Sequence, residues 1–250
     1  MVVEAGNARW PRADEIDWLD PEDLVREGYR RSRVVMLNEA HSGLRRCVRT
    51  RRIGGRVLPV AQRGGARLMA VEMLGPPGAP RTGGMLEQPD LVELLQAAQD
   101  LGLRVDGYDV DDASIPIRLR TKVKSPAFTN WRDGKQAANL AGLLAELAED
   151  EGMLVWCGNL HHARVRFMAY QPMGWHFATL SHVDPFVIDQ TVTVDFAGTG
   201  RKGGRSLLLD WARRPLMQRG GHAGFIWEEG LPRLSPGCDA WLLSLDNELE

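Results

Sequence analysis

Arg33-Val-Val-Met-Leu-Asn-Glu-Ala-His41 is the stretch on which the fold reading turns. Val34, Val35, Met36 and Leu37 form a short apolar run bounded by charge, the pattern of a strand buried on both faces of a sheet. Glu39 and His41 follow where the chain should leave that sheet. In an open α/β sheet, ligands bind in the crevice beyond the carboxyl ends of the strands. A carboxylate and an imidazole placed there are candidates for acid/base or metal chemistry. An ordinary surface loop carrying Glu and His is the alternative reading of this stretch alone.

Working outward, Asp20-Pro21-Glu22-Asp23 starts a helix over residues 21–29: Asp caps, Pro suits the first helical position, and the acids favour the positive end of the dipole. Residues 43–62 read as one or two helices broken at Gly54-Gly55. Residues 67–72 form a second buried strand, again ending in a carboxylate, Glu72. Leu91, Leu94, Leu95, Ala98 and Leu101 recur with helical period, and Gly102 terminates that helix. Residues 103–109 form a third strand ending in Tyr108 and Asp109. An amphipathic helix is expected from about Trp131 to Asp150, with Arg132 and Asp133 at its start. Residues 153–157 are a fourth strand, which breaks into Gly158-Asn159-Leu160-His161-His162.

Three strand-plus-helix units in series imply an α/β fold with a mainly parallel sheet flanked by helices. The Pro- and Gly-rich residues 75–90, with the polar residues 111–130, would form an irregular or helical cap over the strand ends. Weaker signals place a helix at 173–182 and closing strands at 186–195, 207–210, 224–227 and 241–245, with a flexible Gly-rich loop at 198–204. The organisation expected is a single domain over 1–250. Residues 1–30 are an extension and helix, anchored by Trp10 and Trp18; 33–175 are the core, and 176–250 complete the sheet.

The chain has 250 residues, 44% of them hydrophobic and 26% charged, enough to bury a sizeable core. A formal net charge of −2 gives no general attraction to nucleic acid or anionic lipid, so neither is expected as a partner. The arginine clusters at 30–33 and 45–52 read as solvated helix faces. Cys47, Cys157 and Cys238 are odd in number and lack a CxxC spacing, which fits reduced thiols. With no apolar N-terminal segment and no run of about 18 apolar residues, the expectation is a soluble, cytoplasmic protein without a membrane span.

The strand-end polar residues Glu39, His41, Glu72, Asp109 and His161, with Arg132 from a helix, can converge because all these ends lie on one edge of a parallel sheet. A histidine moves protons near neutral pH, and a neighbouring carboxylate fixes its tautomer. A second histidine or an arginine can stabilise developing negative charge. The same residues could instead hold a divalent metal with an open position for water. Tyr108 and His162 are candidate ligand contacts beside Asp109. Cys157 reads as a small hydrophobe, His176 and His182 as structural or exposed, and His222 as a loop residue.

Four segments resemble the erythromycin esterase-like, ChaN-like haem-uptake and Tiki superfamily. Asn38-Glu39-Ala40-His41 is similar to its Gly-Glu-x-His segment, and Ala70-Val71-Glu72 to its second-strand glutamate. Arg132-Asp133-Gly134-Lys135-Gln136-Ala137-Ala138-Asn139 resembles its Arg-Asp-x-x-Met-Ala-x-Asn helix start, and Val155 to His161 its strand followed by Gly-Asn-x-His. The departures are Asn38 for Gly and Gln136 for Met. The resemblance implies His41 as general base, Glu39 and Glu72 as its partners, and Arg132 and His161 on the electrophilic side. In a metal-assisted version Glu39, His41, Glu72 and His161 would hold Mn, Zn or a similar ion. The function expected is hydrolysis, or related acid/base chemistry, on an ester, lactone or amide of a small natural product or modified peptide. Binding of haem or another ligand without catalysis, with Tyr108 reaching the iron, is the alternative.

Overall fold

A computed structural model describes residues 11–39, 44–78, 88–123, 125–192, 204–231 and 233–245. In chain order the regular elements are α1 (Pro21–Arg31), β1 (Val34–Glu39), α2 (Leu44–Arg63), β2 (Ala66–Val71), α3 (Pro89–Asp100), β3 (Arg104–Gly107), α4 (Ile117–Arg120), α5 (Pro126–Ala145), β4 (Gly152–Gly158), α6 (Met173–Ser181), β5 (Phe186–Asp189), α7 (Gly204–Gln218), β6 (His222–Ile226) and β7 (Ala240–Ser244). The strands make one seven-stranded sheet in the order β3-β2-β4-β1-β5-β7-β6, and every neighbouring pair is parallel except β6 with β7. This is the expected α/β architecture.

The sheet divides the core into two layers. Val35, Leu37, Val71, Leu154 and Trp156 face the side covered by α1, α2 and α3. Met36, Ala70, Val155 and Cys157 face the side of α5, α6 and α7. That two-residue alternation decides which face each strand-end side chain enters. Trp18 is an anchor as expected: it is buried, its indole N–H donates to Ala13 O at 2.7 Å, and its ring packs on Trp211 and Phe225. Trp10 lies outside the described residues, as do residues 198–203 of the expected Gly-rich loop.

Several local expectations are corrected. Helix α2 is not broken at Gly54-Gly55; it runs unbroken from Leu44 to Arg63. The reason is close packing, since a Cβ on Gly54 would stand 2.8 Å from the Trp156 ring, whereas one on Gly55 would meet nothing within 4 Å. The arginines of this helix are not all solvated, because Arg49 and Arg51 are buried. Helix α5 starts at Pro126, where Ser125 Oγ accepts from Phe128 N at 3.2 Å, so Arg132 and Asp133 lie in its second turn rather than at its start. Its last residue is Ala145, short of Asp150. Residues 207–210 are not a strand but belong to α7, whose Leu208, Ala212 and Leu216 are buried at helical spacing. A run of three leucines cannot by itself distinguish the two. His222 is not a loop residue: it opens β6, with its Nδ1 2.9 Å from Ser244 Oγ.

The two adjacent glycines of α2 separate packing from helix propensity. Gly55→Ala should stabilise the protein by up to about 1 kcal/mol. Gly54→Ala should destabilise it by about 1–3 kcal/mol despite the same propensity gain, because the fully buried Trp156 cannot move aside. Urea denaturation of the two variants measures both signs.

Candidate functional site

Two polar centres occupy the carboxyl edge of the sheet, one on each face. The first begins at Glu72, which opens a short 3-10 turn directly after β2. Its Oε2 accepts from the backbone N–H of Gly158 at 2.7 Å, and its Oε1 from Arg132 Nη2 at 2.9 Å and Gln136 Nε2 at 3.2 Å. Asp109, two residues past β3, takes Arg132 Nε at 3.0 Å and Nη2 at 2.5 Å, together with Gln136 Nε2 at 2.8 Å. Asn139 Nδ2, farther along α5, holds the backbone carbonyls of Tyr108 and Asp109, each at 3.0 Å. Arg132 therefore ties the ends of two neighbouring strands to one helix. Its Nη1 bonds to none of the described residues, and its side chain is 27% exposed.

Asp133, the next residue of α5, is fully buried. Its Oδ1 is 2.8 Å from His161 Nδ1, while its Oδ2 accepts from the Tyr170 hydroxyl at 2.7 Å and from Met173 N at 3.1 Å. The Tyr170 oxygen also stands 3.2 Å from His161 Nδ1. With its proton on Nδ1, His161 turns the lone pair of Nε2 away from Asp133, and that nitrogen has no hydrogen bond among the described residues. Burial disfavours the charged imidazole, but the Asp133 hydrogen bond and the negative charge of Glu72 and Asp133 outweigh it, so the His161 pKa lies above the usual 6.5. Burial, followed by the charge of Asp133, raises the Tyr170 pKa and keeps its proton in place as a donor.

The second centre is Glu39. It lies on the α2/α3 face, as Val35 and Leu37 do, and is fully buried. Its carboxylate takes Arg51 Nε at 2.9 Å, Arg51 Nη2 at 3.1 Å and Trp156 Nε1 at 2.9 Å. Arg51 Nη1 continues to Asp90 at 2.8 Å and Gln88 at 2.5 Å. This is a buried ion-pair network on the face away from His161. His41 lies outside the described residues.

The structure thus brings together Glu72, Asp109, Arg132 and His161, and separates Glu39 from them. Two further expectations are corrected. Tyr108 is no ligand contact: it is fully buried and its hydroxyl donates to Trp156 O at 3.3 Å, out of reach of a haem iron. His162 turns into the core, its Nε2 4.0 Å from Cys238 Sγ, and burial lowers its pKa to about 4. Cys157 is the small hydrophobe expected, with its thiol pKa pushed well up by burial. As for a metal, Glu39 and Glu72 give their oxygens to Arg51, Trp156, Arg132, Gln136 and Gly158, and among the described residues no group of three His, Cys, Asp or Glu is placed to hold an ion. The described members of the expected set therefore do not by themselves form a site for one. Asp133 and Tyr170 are the partners missed in the sequence. Asp133 stood beside Arg132 as a visible carboxylate, but Tyr170 carries no local signal.

No family model and no curated protein matches this sequence. Solved structures do share the fold. The type III effector HopBA1 is similar over 98% of this chain and 100% of its own, at 13% identity and a TM-score of 0.53. A structure described as bacterial protein toxins is similar over 71% of this chain and 38% of its own, at 12% identity and a TM-score of 0.52. A MARTX toxin effector domain, RRSP from Vibrio vulnificus, matches 69% of this chain and 36% of its own at 13% identity, with a TM-score of 0.46. The chain spans little more than a third of the length of these last two structures.

These findings overturn the resemblance to the erythromycin esterase-like, ChaN-like and Tiki group. No family model matches, and the similar structures with a TM-score above 0.5 are described as bacterial protein toxins and a type III effector. Among the described residues no helix is long and apolar enough to cross a membrane.

Two substitutions test the two centres separately. Because the native environment favours the imidazolium, the Asp133–His161 pair stabilises the fold fully below pH 6.5, and that contribution is lost as pH rises through the raised native value. In Asp133→Asn burial should dominate instead, and NMR titration should find the His161 pKa lowered by about one unit or more. Arg51→Met leaves the Glu39 carboxylate buried without its guanidinium and should lower unfolding free energy by about 3–5 kcal/mol, measured with urea, while leaving the His161 titration unchanged.

Proposed function

We propose that the chain is a hydrolase in which His161 is the general base, Asp133 orients it, and Arg132 stabilises developing negative charge. The observation that carries this reading is the Asp133–His161 pair: a buried carboxylate on Nδ1 leaves a partly open imidazole whose Nε2 has no hydrogen bond among the described residues. Such a dyad is the arrangement that general-base catalysis needs. Nε2 takes a proton from water as the water oxygen attacks the carbonyl carbon of an ester, lactone or amide. The negative charge forming on the carbonyl oxygen is met by Arg132, whose Nη1 has no protein partner among the described residues. When the carbon–heteroatom bond breaks, the imidazolium returns its proton to the leaving oxygen or nitrogen. Asp133 stays ionised and holds the ring throughout.

No nucleophilic side chain is needed in this scheme, in keeping with the burial of Cys157. The substrate proposed is an ester, lactone or amide of a small natural product or modified peptide.

A panel of p-nitrophenyl esters, lactones and peptide anilides should contain a compound turned over by the wild-type protein. His161→Ala should reduce that turnover by about 100- to 10,000-fold. Equal turnover by His161→Ala and wild type would exclude His161 as the base.

A further inference from the structure

Beside the Asp133–His161 pair lies a strained turn that contributes nothing to the hydrophobic core. Residues 167–170 form a tight hairpin, with Phe167 N to Tyr170 O at 3.2 Å and Tyr170 N to Phe167 O at 3.1 Å. Met168 at its tip has φ +54°, a left-handed conformation that a non-glycine residue adopts at a cost of about 1 kcal/mol or more, and its side chain is entirely exposed. Neither feature stabilises the fold. What the turn does achieve is the placement of one hydroxyl, that of Tyr170, against the buried Asp133.

Besides the Tyr170 hydroxyl, the side chain of Asn130 holds the turn to α5. Asn130 Nδ2 donates to Ala169 O at 2.7 Å, and Asn130 Oδ1 accepts from Gln171 N at 2.9 Å. The amide therefore grips the backbone on both sides of Tyr170. Asn130 lies three residues before Asp133 on the same helix, so one rigid element carries both the clamp and the carboxylate that the clamped residue must reach. The Phe167 ring packs edge-on against Tyr170 at 4.9 Å and restricts its swing.

We infer that Asn130 and Tyr170 are positioning residues for the base: Asn130 fixes the turn so that the Tyr170 hydroxyl occupies Asp133 Oδ2, which restrains the pull of Asp133 on the His161 proton and keeps that proton on Nδ1. The chemical reason is that a carboxylate shared among three donors is a weaker acceptor for each. Without Tyr170, Asp133 would keep only the imidazole and the Met173 N–H as donors and would hold the ring as imidazolium to higher pH, where it cannot serve as a base. The functional significance rests on His161 being the base, but the coupling itself is a property of the resting protein.

NMR titration of the full chain, with the His161 resonance assigned by its loss in His161→Ala, tests this without any substrate. Tyr170→Phe removes one oxygen and keeps the ring packing; the His161 pKa should rise by about half a unit or more. Asn130→Ala should raise it in the same direction, and Asn130→Ala/Tyr170→Phe should match Tyr170→Phe alone, since Asn130 acts through the hydroxyl. An unchanged or lowered pKa in Tyr170→Phe would overturn the inference, and additive shifts in the double variant would remove Asn130 from it. If Asn130→Ala does not fold, Asn130→Ser supplies the same comparison. A rise in pKa together with undiminished turnover by His161→Ala would leave the coupling standing and refute only the assignment of the base.

Discussion

Arg132 is the constraint on which the polar edge depends. Carboxylates at the ends of adjacent parallel strands, Glu72 after β2 and Asp109 after β3, repel one another and are poorly hydrated where they stand. A planar guanidinium can donate to both at once in fixed geometry, which an ammonium cannot do. Bridging them ties α5 to the sheet and sets the rotation of the helix about its axis. Asp133, the next residue, is thereby turned towards the loop after β4. The Gly158 amide bound by Glu72 fixes the start of that same loop, which carries His161 three residues later. Helix and loop are thus registered against each other through one carboxylate, and the short Asp133–His161 contact follows from it.

The same electrostatics explain Gln136. Its amide nitrogen lies between two carboxylates, so donation to Glu72 and Asp109 dictates the orientation of the group, and its buried carbonyl oxygen has no partner among the described residues. An apolar residue at that position would remove one of the two side chains that bridge the acids among the described residues. Asn38 acts in the same way at the end of β1: its Nδ2 donates to Asn159 O at 2.7 Å and Asp189 Oδ1 at 2.8 Å, and its Oδ1 accepts from Gln190 N at 2.8 Å. It closes the gap between the ends of β1, β4 and β5. Both side chains serve as buried connectors of the polar edge, with every strand end they touch held by a hydrogen bond.

The sheet and most of its elements were legible because apolar runs bounded by polar residues are a local property. Val34–Leu37 and Met153–Cys157 suit buried strands, and the period of Leu91, Leu94, Leu95 and Ala98 suits a helix. Errors arose where tertiary packing overrides local preference. Gly54 looks like a helix break until Trp156 is seen to need the missing Cβ, and Leu207-Leu208-Leu209 has no period of its own until Ala212 and Leu216 extend it. For the site, the strand-end rule located Glu72, Asp109 and His161 correctly on one edge. It could not say which face Glu39 would enter with a partner, because Arg51 lies on a helix whose arginines look alike in sequence. Tyr170 was invisible for a further reason: its role depends on a turn fixed from another helix by Asn130.

The separation of the two carboxylate centres has a consequence for chemistry. On the α2/α3 face Glu39 meets a buried guanidinium and an indole N–H, so its charge is consumed in holding the layers together. On the α5 face Arg132 bridges Glu72 and Asp109, Asp133 faces His161, and the excess negative charge of Glu72 and Asp133 raises the His161 pKa. A base needs such a surplus, because an imidazole buried without one would lose its proton too readily to retain it after attack, as the lowered pKa of His162 in the adjacent position illustrates. Two successive histidines of one turn are therefore driven in opposite directions by the faces they enter, and only His161 keeps both a partly open ring and a carboxylate behind it.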